Sequence, residues 1–523
     1  MHYSYHHQQT YSRWASEDEI KSSLHKVNLK SKRSIHGGVP LFAGPDAVYV
    51  DSSDTHSLVF GSTGSKKTRL IGMPTLQLYA RAGESFIATD PKAELYEKTF
   101  PLLKKKGYRI FVLNLRDPLR SNKWNPLAIP YRLYWSDERD RAIEFVLDIS
   151  KCIVKEKSEK DPYWSNSAAD LLAGLIISLF ECAEEQEIHF KSLRGLRAQA
   201  FKKIESGDNS FIQERFLKKL APHSVAYSLL CGTVEVCDVT QGCILSTFDQ
   251  ALRPFLSQDR LLDMTSGSDF DINTIGKEKT AVFLINPDEN TLYHHMISVF
   301  VKQCYTSLIA EAQKQPLQKL PRRVNFMLDE FSSIPQIADF PAMITAARSR
   351  NIRFTLMVQS MSQLKERYGI EAETIKGNCE NWIYLNSKEK PLLEELIYLA
   401  GRKCNAEPLV SPSMLQTLNK DNGEALILHE RKLPFIARLM DIDSYPDIAE
   451  AGGKAHYPAN DRKAIAIFDF EKFCKSKNDY FLSQLFSGKT LADISNDREG
   501  EERYYMYDDE AMMEPIFTSV IPD

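Results

Sequence analysis

The sequence predicts an α/β protein, with a parallel sheet covered by helices on both faces and an all-helical insertion. Three observations predict this class. From about Gly37 onward, short β-rich runs alternate with helix-length amphipathic stretches, and a glycine-rich turn follows the first strongly apolar run. Between about residues 135 and 235 the β signal vanishes. The 523-residue chain is 43% apolar and 26% charged, which is the composition of a globular protein.

Seven short apolar runs are the predicted strands. They are Leu58–Phe60, Ser85–Thr89, Arg109–Leu113, Ala281–Ile285, Asn325–Leu328, Arg353–Val358 and Trp382–Leu385. Helical periodicity at 168–183 and 211–230 predicts an inserted all-α domain over 135–235. The sheet domain is therefore expected in two pieces, 37–134 and 236–456.

Two flanking segments differ from this pattern. Residues 1–36 are polar and lysine-rich, which predicts a loosely attached arm or a short helix. Residues 457–523 form a C-terminal segment, whose tail carries nine acidic residues from Asp497 onward against Arg498 and Arg503. This composition predicts a disordered or partner-binding tail. Because the net charge is −4, contact with DNA requires local basic patches or a pore built by several subunits.

Cysteine usage and hydropathy indicate a cytoplasmic protein, at most peripheral at the inner face of the membrane. The nine cysteines form no C-x-x-C pair, which excludes a zinc ribbon and a thioredoxin-type redox motif. The N-terminus has no apolar signal region, and the longest apolar run, Leu171–Phe180, is shorter than the roughly 20 residues of a membrane span. We therefore expect no transmembrane segment.

The turn after the first predicted strand resembles a phosphate-binding loop. Its residues are Gly61, Ser62, Thr63, Gly64, Ser65, Lys66, Lys67 and Thr68. In the pattern G-x-x-x-x-G-K-[ST], only Lys66 departs, because it replaces the second glycine. Backbone N–H groups of such a loop cradle nucleotide phosphates, Lys67 would neutralise them and Thr68 would hold Mg²⁺. Whether a residue with a Cβ at position 66 permits the close approach of phosphate is the central question.

Two later strands end in polar side chains that suit the same site. The run 324–328 is followed by Asp329 and Glu330, which in a phosphate-loop sheet would hold Mg²⁺ and polarise the attacking water. The run 354–358 is followed by Gln359, which would sense the terminal phosphate or orient water, or would merely cap the strand.

Two further segments leave alternatives open. In the turn Asp90-Pro91-Lys92, the lysine would approach nucleotide or DNA, or the segment is a plain strand-to-helix turn. In the insertion, Tyr163 and Trp164 fit a hydrophobic core better than a platform for stacking bases.

From about residue 40 to 440 the chain resembles the conjugative coupling proteins of type IV secretion systems, the TraG/TraD class of FtsK/HerA-like ATPases. The order and spacing of many motifs carry the resemblance. They are T-G-S-x-K-T at 63–68, A-T-D-P-K-A-E-L-Y at 88–96, W-N-P-L at 124–127, D-P-Y-W-S-N-S-A at 161–168, L-D-E-F at 328–331, A-A-R-S-R-N-I-R at 346–353, V-Q-S-M-S-Q-L-K-E-R-Y-G at 358–369, G-N-C at 377–379 and N-G-E-A-L-I-L at 422–428.

The resemblance implies a RecA-like nucleotide-binding domain with an inserted all-α domain, assembled as a homo-hexamer around a DNA channel. It implies ATP and Mg²⁺ as cofactors, with Lys67 and Thr68 on phosphate and metal, Asp329 and Glu330 as the Walker B pair, and Gln359 as the sensor. Arg348 matches the arginine finger that reaches the neighbouring subunit's nucleotide, with Arg350 and Arg353 as rivals. A structural or DNA-binding role for these arginines is the alternative.

The function implied is an ATP-driven DNA translocase that delivers relaxase-bound single-stranded DNA to a type IV secretion channel. Most family members carry N-terminal transmembrane helices, and this sequence shows none. We therefore expect a soluble form, a form that binds a separate membrane partner, or another use of the same motor. One alternative is a nucleotide-binding recruitment protein that hydrolyses weakly because of Lys66. Another is a HerA-like motor of DNA processing or defence.

Overall fold

The computed structural model describes residues 11–31, 34–154, 162–202, 212, 224–287, 293–460 and 464–474. The chain forms two compact units. The sheet unit comprises residues up to 126, 151–159 and 257–463, and the helical unit comprises 127–150, 160–256 and 464 onward. The predicted acidic tail lies outside the described residues.

Twelve strands are present in the described part of the chain. They are β1 His25–Asn28, β2 Val39–Ala43, β3 Ala47–Asp51, β4 His56–Gly61, β5 Ser85–Thr89, β6 Arg109–Asn114, β7 Thr280–Ile285, β8 Val324–Leu328, β9 Ile352–Val358, β10 Cys379–Asn386, β11 Glu424–His429 and β12 Phe435–Arg438. The last nine strands form one sheet in the order β12-β11-β10-β4-β9-β8-β5-β7-β6.

The seven predicted strands are the seven parallel strands of this sheet, from β10 to β6. The central strands β4, β5, β7, β8 and β9 are buried along their whole length. This explains why they are continuous apolar runs in the sequence. The sheet is mixed rather than wholly parallel, because β11 and β12 extend it as an antiparallel hairpin beside β10.

Seventeen α-helices are assigned among the described residues. They are α1 Glu17–Ser23, α2 Met73–Ala82, α3 Glu94–Lys105, α4 Ala128–Tyr134, α5 Arg139–Val154, α6 Tyr163–Cys182, α7 Phe190–Ala200, α8 Val225–Val234, α9 Asp238–Leu256, α10 Asp259–Met264, α11 His294–Gln313, α12 Phe340–Ala347, α13 Met361–Tyr368, α14 Glu371–Asn378, α15 Lys390–Ala400, α16 Pro412–Gln416 and α17 Pro446–Ala451. Helix α3 follows β5 after a short connection, residues 90–93, as is common in α/β units.

The N-terminal region is better integrated than a loosely attached arm. Helix α1 begins with a capping box between Ser16 and Glu19, and β1 pairs antiparallel with β3 in a separate three-stranded sheet. Ile20 and Val27 are buried in the same hydrophobic core as β4 and α2. The globular body therefore begins well before Gly37, because apolar side chains spaced among the lysines cover the core.

The helical unit is larger than the predicted insertion. It extends over 127–150 and 160–256, so the expected limits at 135 and 235 lie inside it. It also contains residues 464–474, where the backbone N–H of Phe468 donates to Ser192 Oγ over 3.0 Å. The predicted C-terminal segment 457–523 is therefore divided between the two units.

Helix α6 is the centre of the helical unit. In the described part of the chain it is the one unbroken helix long and apolar enough to cross a membrane, and 72% of that apolar window is buried inside the protein. The sharply bent pair α8 and α9 also passes the same test of length and composition. Extensive burial of α6 is typical of a core helix.

A buried ionic network closes the amino-terminal edge of the large sheet. Arg353, the second residue of β9, donates through Nη2 to Glu84 Oε2 over 2.6 Å and through Nε to Asn325 Oδ1 over 2.8 Å. Its Nη1 donates to the carbonyl oxygens of Gly37, Asp51 and Ser53. Arg353 is 4% exposed. Each of the three guanidinium nitrogens therefore has a partner inside the protein.

Candidate functional site

A polar cavity of about 600 Å³ lies at the opposite, carboxyl-terminal edge of the sheet. It is formed where the neighbouring strands β4, β9, β8 and β5 end, which is where parallel α/β sheets bind ligands. Its lining residues are Ser62, Thr63, Gly64, Ser65, Lys66, Lys67, Thr68, Arg69, Asp90, Pro91, Lys92, Glu94, Asp329, Glu330, Ser333 and Gln359.

The loop between β4 and α2 supplies one wall of the cavity. Gly61 ends β4, and a Cβ there would overlap the Ser65 side chain and lie 2.8 Å from Cγ of Lys67. Because glycine has no Cβ, it allows the side chains of Ser65 and Lys67 to approach residue 61 this closely. The helix that follows begins with a π-helical turn, Thr68–Gly72, of a kind that is frequent at functional sites.

Lys66 adopts the backbone conformation that a glycine would adopt at this position. Its φ is +64°, in the left-handed region, which costs a residue with a Cβ roughly 1–2 kcal/mol. The side chain extends away from the loop, and its Nζ forms an ion pair with Asp421 Oδ1 at 2.8 Å. The lysine thus does not prevent the loop conformation but makes it energetically less favourable.

Lys67 is buried at the base of the cavity. Its Nζ donates to the carbonyl oxygen of Gly61 over 2.5 Å and lies 3.6 Å from Oε1 of Glu330. The ammonium group is therefore held within the curl of its own loop, facing a carboxylate from the next-but-one strand. This arrangement places one positive charge where the loop's backbone N–H groups converge.

Asp329, Glu330 and Gln359 meet beside Lys67. Asp329 follows β8, and its carboxylate accepts the N–H of Glu330 over 3.0 Å. Gln359 follows β9, and its Nε2 donates to Glu330 Oε2 over 2.8 Å. Glu330 itself has a φ of +52°, which is an unfavourable backbone conformation. This conformation changes the direction of its side chain at the end of the strand. Side chains far apart in sequence are thus brought together by neighbouring strands.

Asp90 is a site residue that the sequence analysis did not single out. It follows β5, and Asp329 follows β8 at the same level, because β5 and β8 are parallel neighbours with Ala88 opposite Met327. Its Oδ2 accepts the N–H of Tyr96 over 2.8 Å, which fixes the carboxyl group at the start of α3. A usable signal was present, since Asp90 follows an apolar strand as Asp329 does.

The two buried carboxyl groups carry unfavourable negative charge. Burial, with a smaller contribution from the nearby Asp329, raises the pKa of Asp90 to about 7, although hydrogen bonds from backbone N–H groups lower it. Burial likewise raises the pKa of Asp329 to about 6, with a contribution from Glu330 that Lys67 opposes. Carboxylates in such surroundings favour a cation or a proton.

Two hydroxyl groups complete the loop side of the cavity. Thr68, predicted to hold a metal, lies in the cavity wall, and Ser65 Oγ is buried without a hydrogen-bond partner in the described structure. Within the described residues, no group of three or more His, Cys, Asp or Glu side chains could by itself hold a metal ion. A cation here would need phosphate oxygens or water as further ligands, as Mg²⁺ usually does.

The three candidate arginines lie away from this cavity. Arg348 begins a 3₁₀ turn, Arg348–Arg350, ahead of β9 and pairs with Glu380. Because β9 is seven residues long, Arg348 lies about 20 Å or more from Gln359. Arg350 is half-exposed and donates to Gln318. Arg353 is buried in the network described above, so it is not free to reach another subunit.

Comparison with known proteins identifies the family. The sequence matches the family model described as type IV secretory system conjugative DNA transfer over residues 13–399, which is most of the chain. The chain belongs to this family. The resemblance to type IV coupling proteins noted in the sequence is thereby confirmed.

Curated relatives agree with this assignment. The chain is 24% identical to VirD4 of Rhizobium rhizogenes over 376 residues, covering 68% of this chain and 51% of that protein. It is 22% identical to a probable conjugal transfer protein TraG of Sinorhizobium fredii over 363 residues, covering 67% and 52%. The chain spans about half the length of these relatives. An uncharacterised Bacillus anthracis protein is 39% identical over 87 residues, covering 16% of this chain and 32% of that protein.

Solved structures of the coupling protein TrwB share the fold. The form TrwBdeltaN70 with sulphate has a TM-score of 0.61 and 17% identity, covering 87% of this chain and 97% of that chain. TrwB with ADP and Mg²⁺ gives the same values, and TrwB with the ATP analogue ADPNP has a TM-score of 0.59 and 17% identity, covering 87% and 96%. The predicted α/β fold with a RecA-like domain is confirmed.

Proposed function

We propose that this protein is an ATP-driven DNA translocase that acts as a coupling protein in conjugative transfer. The observation that carries the proposal is the meeting of Lys67, Glu330 and Gln359 at one cavity beneath a glycine-rich loop. Nucleotide complexes of TrwB, which shares this fold, support the same kind of ligand here.

The chain's own residues fit a nucleoside triphosphate with Mg²⁺. The loop 61–68 would present its N–H groups to the phosphates, with Lys67 as their positive partner, and Ser65 Oγ is a free hydroxyl beside them. Thr68 and Asp329 would hold Mg²⁺, which when bound neutralises charge on the phosphate oxygens. Burial raises the pKa of Asp329, so a bound cation would stabilise its charged form.

Hydrolysis would depend on Glu330. Its carboxylate would accept a proton from the attacking water, and Gln359 holds the carboxylate in place through a 2.8 Å hydrogen bond. Lys67 would leave Glu330 and Gly61 O for the phosphates when nucleotide enters. The contact between Lys67 and Glu330, at 3.6 Å, holds both groups beside the loop.

We assign Arg348 as an arginine finger supplied by a neighbouring subunit in a homo-hexamer. It lies at the far edge of the sheet from its own cavity, so only another subunit's cavity is within its reach. Its side chain is 40% exposed and pairs with Glu380, whereas Arg353 is enclosed by the protein. Arg350, which is half-exposed and donates to Gln318, stays its rival. A guanidinium supplied in trans makes hydrolysis depend on assembly.

The substrate and partners follow from the family. The motor would move single-stranded DNA without reading its sequence, through contacts with backbone phosphates. A relaxase would deliver this DNA, and a type IV secretion channel or a separate membrane partner would receive it. The working location is then the cytoplasmic face of the membrane.

ATPase turnover measured against protein concentration, with and without single- and double-stranded DNA, tests the proposal. We expect stimulation by DNA and a cooperative rise with concentration. Arg348→Ala should bind nucleotide normally and lose turnover, and mixing it with Lys67→Ala should restore part of the activity. Turnover that survives Lys67→Ala and Glu330→Gln would contradict the proposal.

A second candidate is a recruitment protein that binds nucleotide and hydrolyses it slowly. The left-handed φ of Lys66 favours it, because the phosphate-binding loop is held in a costly conformation. Lys66→Gly discriminates between the two. A turnover gain of roughly tenfold or more, the factor equivalent to 1.4 kcal/mol, would indicate that the native loop is impaired. A similar or lower turnover would favour the motor.

A further inference from the structure

The ion pair between Lys66 and Asp421 joins the phosphate-binding loop to the antiparallel edge of the sheet. The two residues are 355 positions apart, and Nζ lies 2.8 Å from Oδ1. Lys66 also lines the cavity, whereas Asp421 lies in the turn that precedes β11. Among the described residues of 61–68, Lys66 is therefore the one that forms an ion pair with the turn before β11.

The turn that carries Asp421 is fixed. Asn419 Oδ1 accepts the N–H groups of Asp421 and Asn422, and Leu439 N donates to Gly423 O over 2.8 Å. Gly423 has a φ of +67°, and a Cβ there would overlap the carbonyl oxygen of Leu439. The carboxylate is thus presented to Lys66 by a defined turn that is anchored to the end of β12.

Charge explains which partner Lys66 prefers. The hydrogen bond and attraction of Lys66 lower the pKa of Asp421, so the carboxylate is ionised at neutral pH. The Asp421 carboxylate is the anion that Lys66 Nζ contacts. A triphosphate would bring a larger negative charge to the same wall, and an exposed ion pair is weak enough to be exchanged for it.

We propose that Asp421 is a positioning residue that competes with the nucleotide for Lys66. This inference rests on the proposed nucleotide site. Without nucleotide, Asp421 holds the Lys66 side chain to the outside of the loop. When a triphosphate binds, Lys66 turns to the phosphates and the turn 419–423 loses its ionic contact with the loop. Nucleotide occupancy is thereby communicated to the β11–β12 hairpin.

Affinity for ADPNP with Mg²⁺, measured at low salt in the full chain, tests this competition. Asp421→Asn should bind ADPNP about two- to fivefold more tightly, the factor that an exposed ion pair is worth. Asp421→Glu should restore native affinity. Asp443→Asn is the matched control, because it removes one exposed carboxylate from the 3₁₀ turn after β12 while Arg69 keeps its pair with Asp441. We expect Asp443→Asn to leave affinity unchanged.

A double-mutant cycle separates the ion pair from a general charge effect. In a Lys66→Gly background, Asp421→Asn should have no effect on ADPNP affinity. An equal gain in both backgrounds, or no gain in the native background, would overturn the proposal. If the native chain bound no ADPNP while it remained folded, the proposed nucleotide site itself would fail, which is a different result.

Hydrogen exchange provides a second readout that a merely structural role would not move. Saturating ADPNP with Mg²⁺ should increase amide exchange in the turn 419–423 of the native chain, and this increase should disappear in Lys66→Gly. Bound nucleotide without any change in that turn would contradict the release of Asp421.

Discussion

The two edges of the large sheet both collect charged residues from the same strands, but they use them differently. At the amino-terminal edge, Arg353 is enclosed by Glu84, Asn325 and three carbonyl oxygens. At the carboxyl-terminal edge, Lys67 and Glu330 are 3.6 Å apart beside a cavity of about 600 Å³. One edge is filled with mutual partners, and the other leaves space between its charges.

This contrast separates structural from functional charge. A buried guanidinium whose three nitrogens all have partners contributes to stability only while its partners remain. Buried carboxyl groups such as Asp90, whose pKa is raised by burial, destabilise the empty protein and favour a ligand. The difference predicts that mutations at the amino-terminal edge change folding, whereas mutations at the carboxyl-terminal edge change chemistry.

The largest effect is expected from Arg353→Ala. It breaks the buried ion pair at 2.6 Å and leaves Glu84 with Asn325 and the more distant Nη1 of Arg323, at 3.9 Å. Loss of one partner of such a pair should lower the free energy of unfolding by about 3–5 kcal/mol. Urea unfolding followed by circular dichroism measures the shift. Arg350→Ala, at an exposed hydrogen bond three residues earlier, should change stability by less than about 0.5 kcal/mol. Equal shifts for the two variants would remove the distinction between the edges.

At the other edge, Glu330→Gln should reduce ATP turnover by roughly 10²–10⁴-fold, the contribution of a positioned general base. Gln keeps a hydrogen bond to Gln359, so the thermal midpoint should hardly move. Glu278→Gln, an exposed residue paired with Arg109 at the amino-terminal edge, is the control for turnover. A large loss of stability in Glu330→Gln would show that this carboxylate is structural.

The carboxyl-terminal edge should make the nucleotide-free protein less stable at high pH. The folded protein binds the Asp90 proton up to about pH 7, whereas the unfolded chain releases it near 3.8, so stability falls as pH rises between these values. Asp90→Asn removes this penalty. Between pH 4 and pH 8 in EDTA, we expect the free energy of unfolding of Asp90→Asn to rise relative to that of the native chain by roughly 2–4 kcal/mol. A constant difference across this range would contradict the assignment.

The amino-terminal edge should show a smaller dependence of opposite sign. Burial lowers the pKa of His56 to about 4, while the ring accepts from Phe354 N and bonds to Ile344 O. Stability is therefore complete above about pH 6.5 and is lost as pH falls toward 4. His56→Gln should reduce the stability lost between pH 7 and pH 4.5 by about 1–3 kcal/mol, as measured by urea midpoints over this range. An unchanged slope would show that other groups cause it.

The sequence predicted the parallel part of the sheet well, because central strands are continuous apolar runs. It missed β11 and β12, although the motif N-G-E-A-L-I-L spans the first of them. Strand β12 lies at the edge of the sheet, alternates buried with more exposed positions and carries a weaker apolar signal, whereas β11 lies inside the sheet and is mostly buried. It also missed β1, since Val27 is the one buried position of that strand and lies among the lysines of the N-terminal region.

The site was predictable where a strand end and its polar residue are adjacent in sequence. Lys67, Asp329, Glu330 and Gln359 were all placed in one cavity on that basis, and their roles stay predictions. Asp421 was not predictable, because its contact with Lys66 joins segments 355 residues apart. The conformation of Lys66 also needed the structure, since only its φ of +64° shows that the loop keeps the glycine-like form.

Calorimetric titration of the full chain with ADPNP and Mg²⁺ tests the central claim most directly. The account predicts one nucleotide per chain. It also predicts that Lys67→Ala, with an unchanged thermal midpoint, weakens binding by about 10- to 100-fold, the worth of a charged hydrogen bond. Native affinity in the folded Lys67→Ala variant would contradict the assignment of this cavity as the nucleotide site.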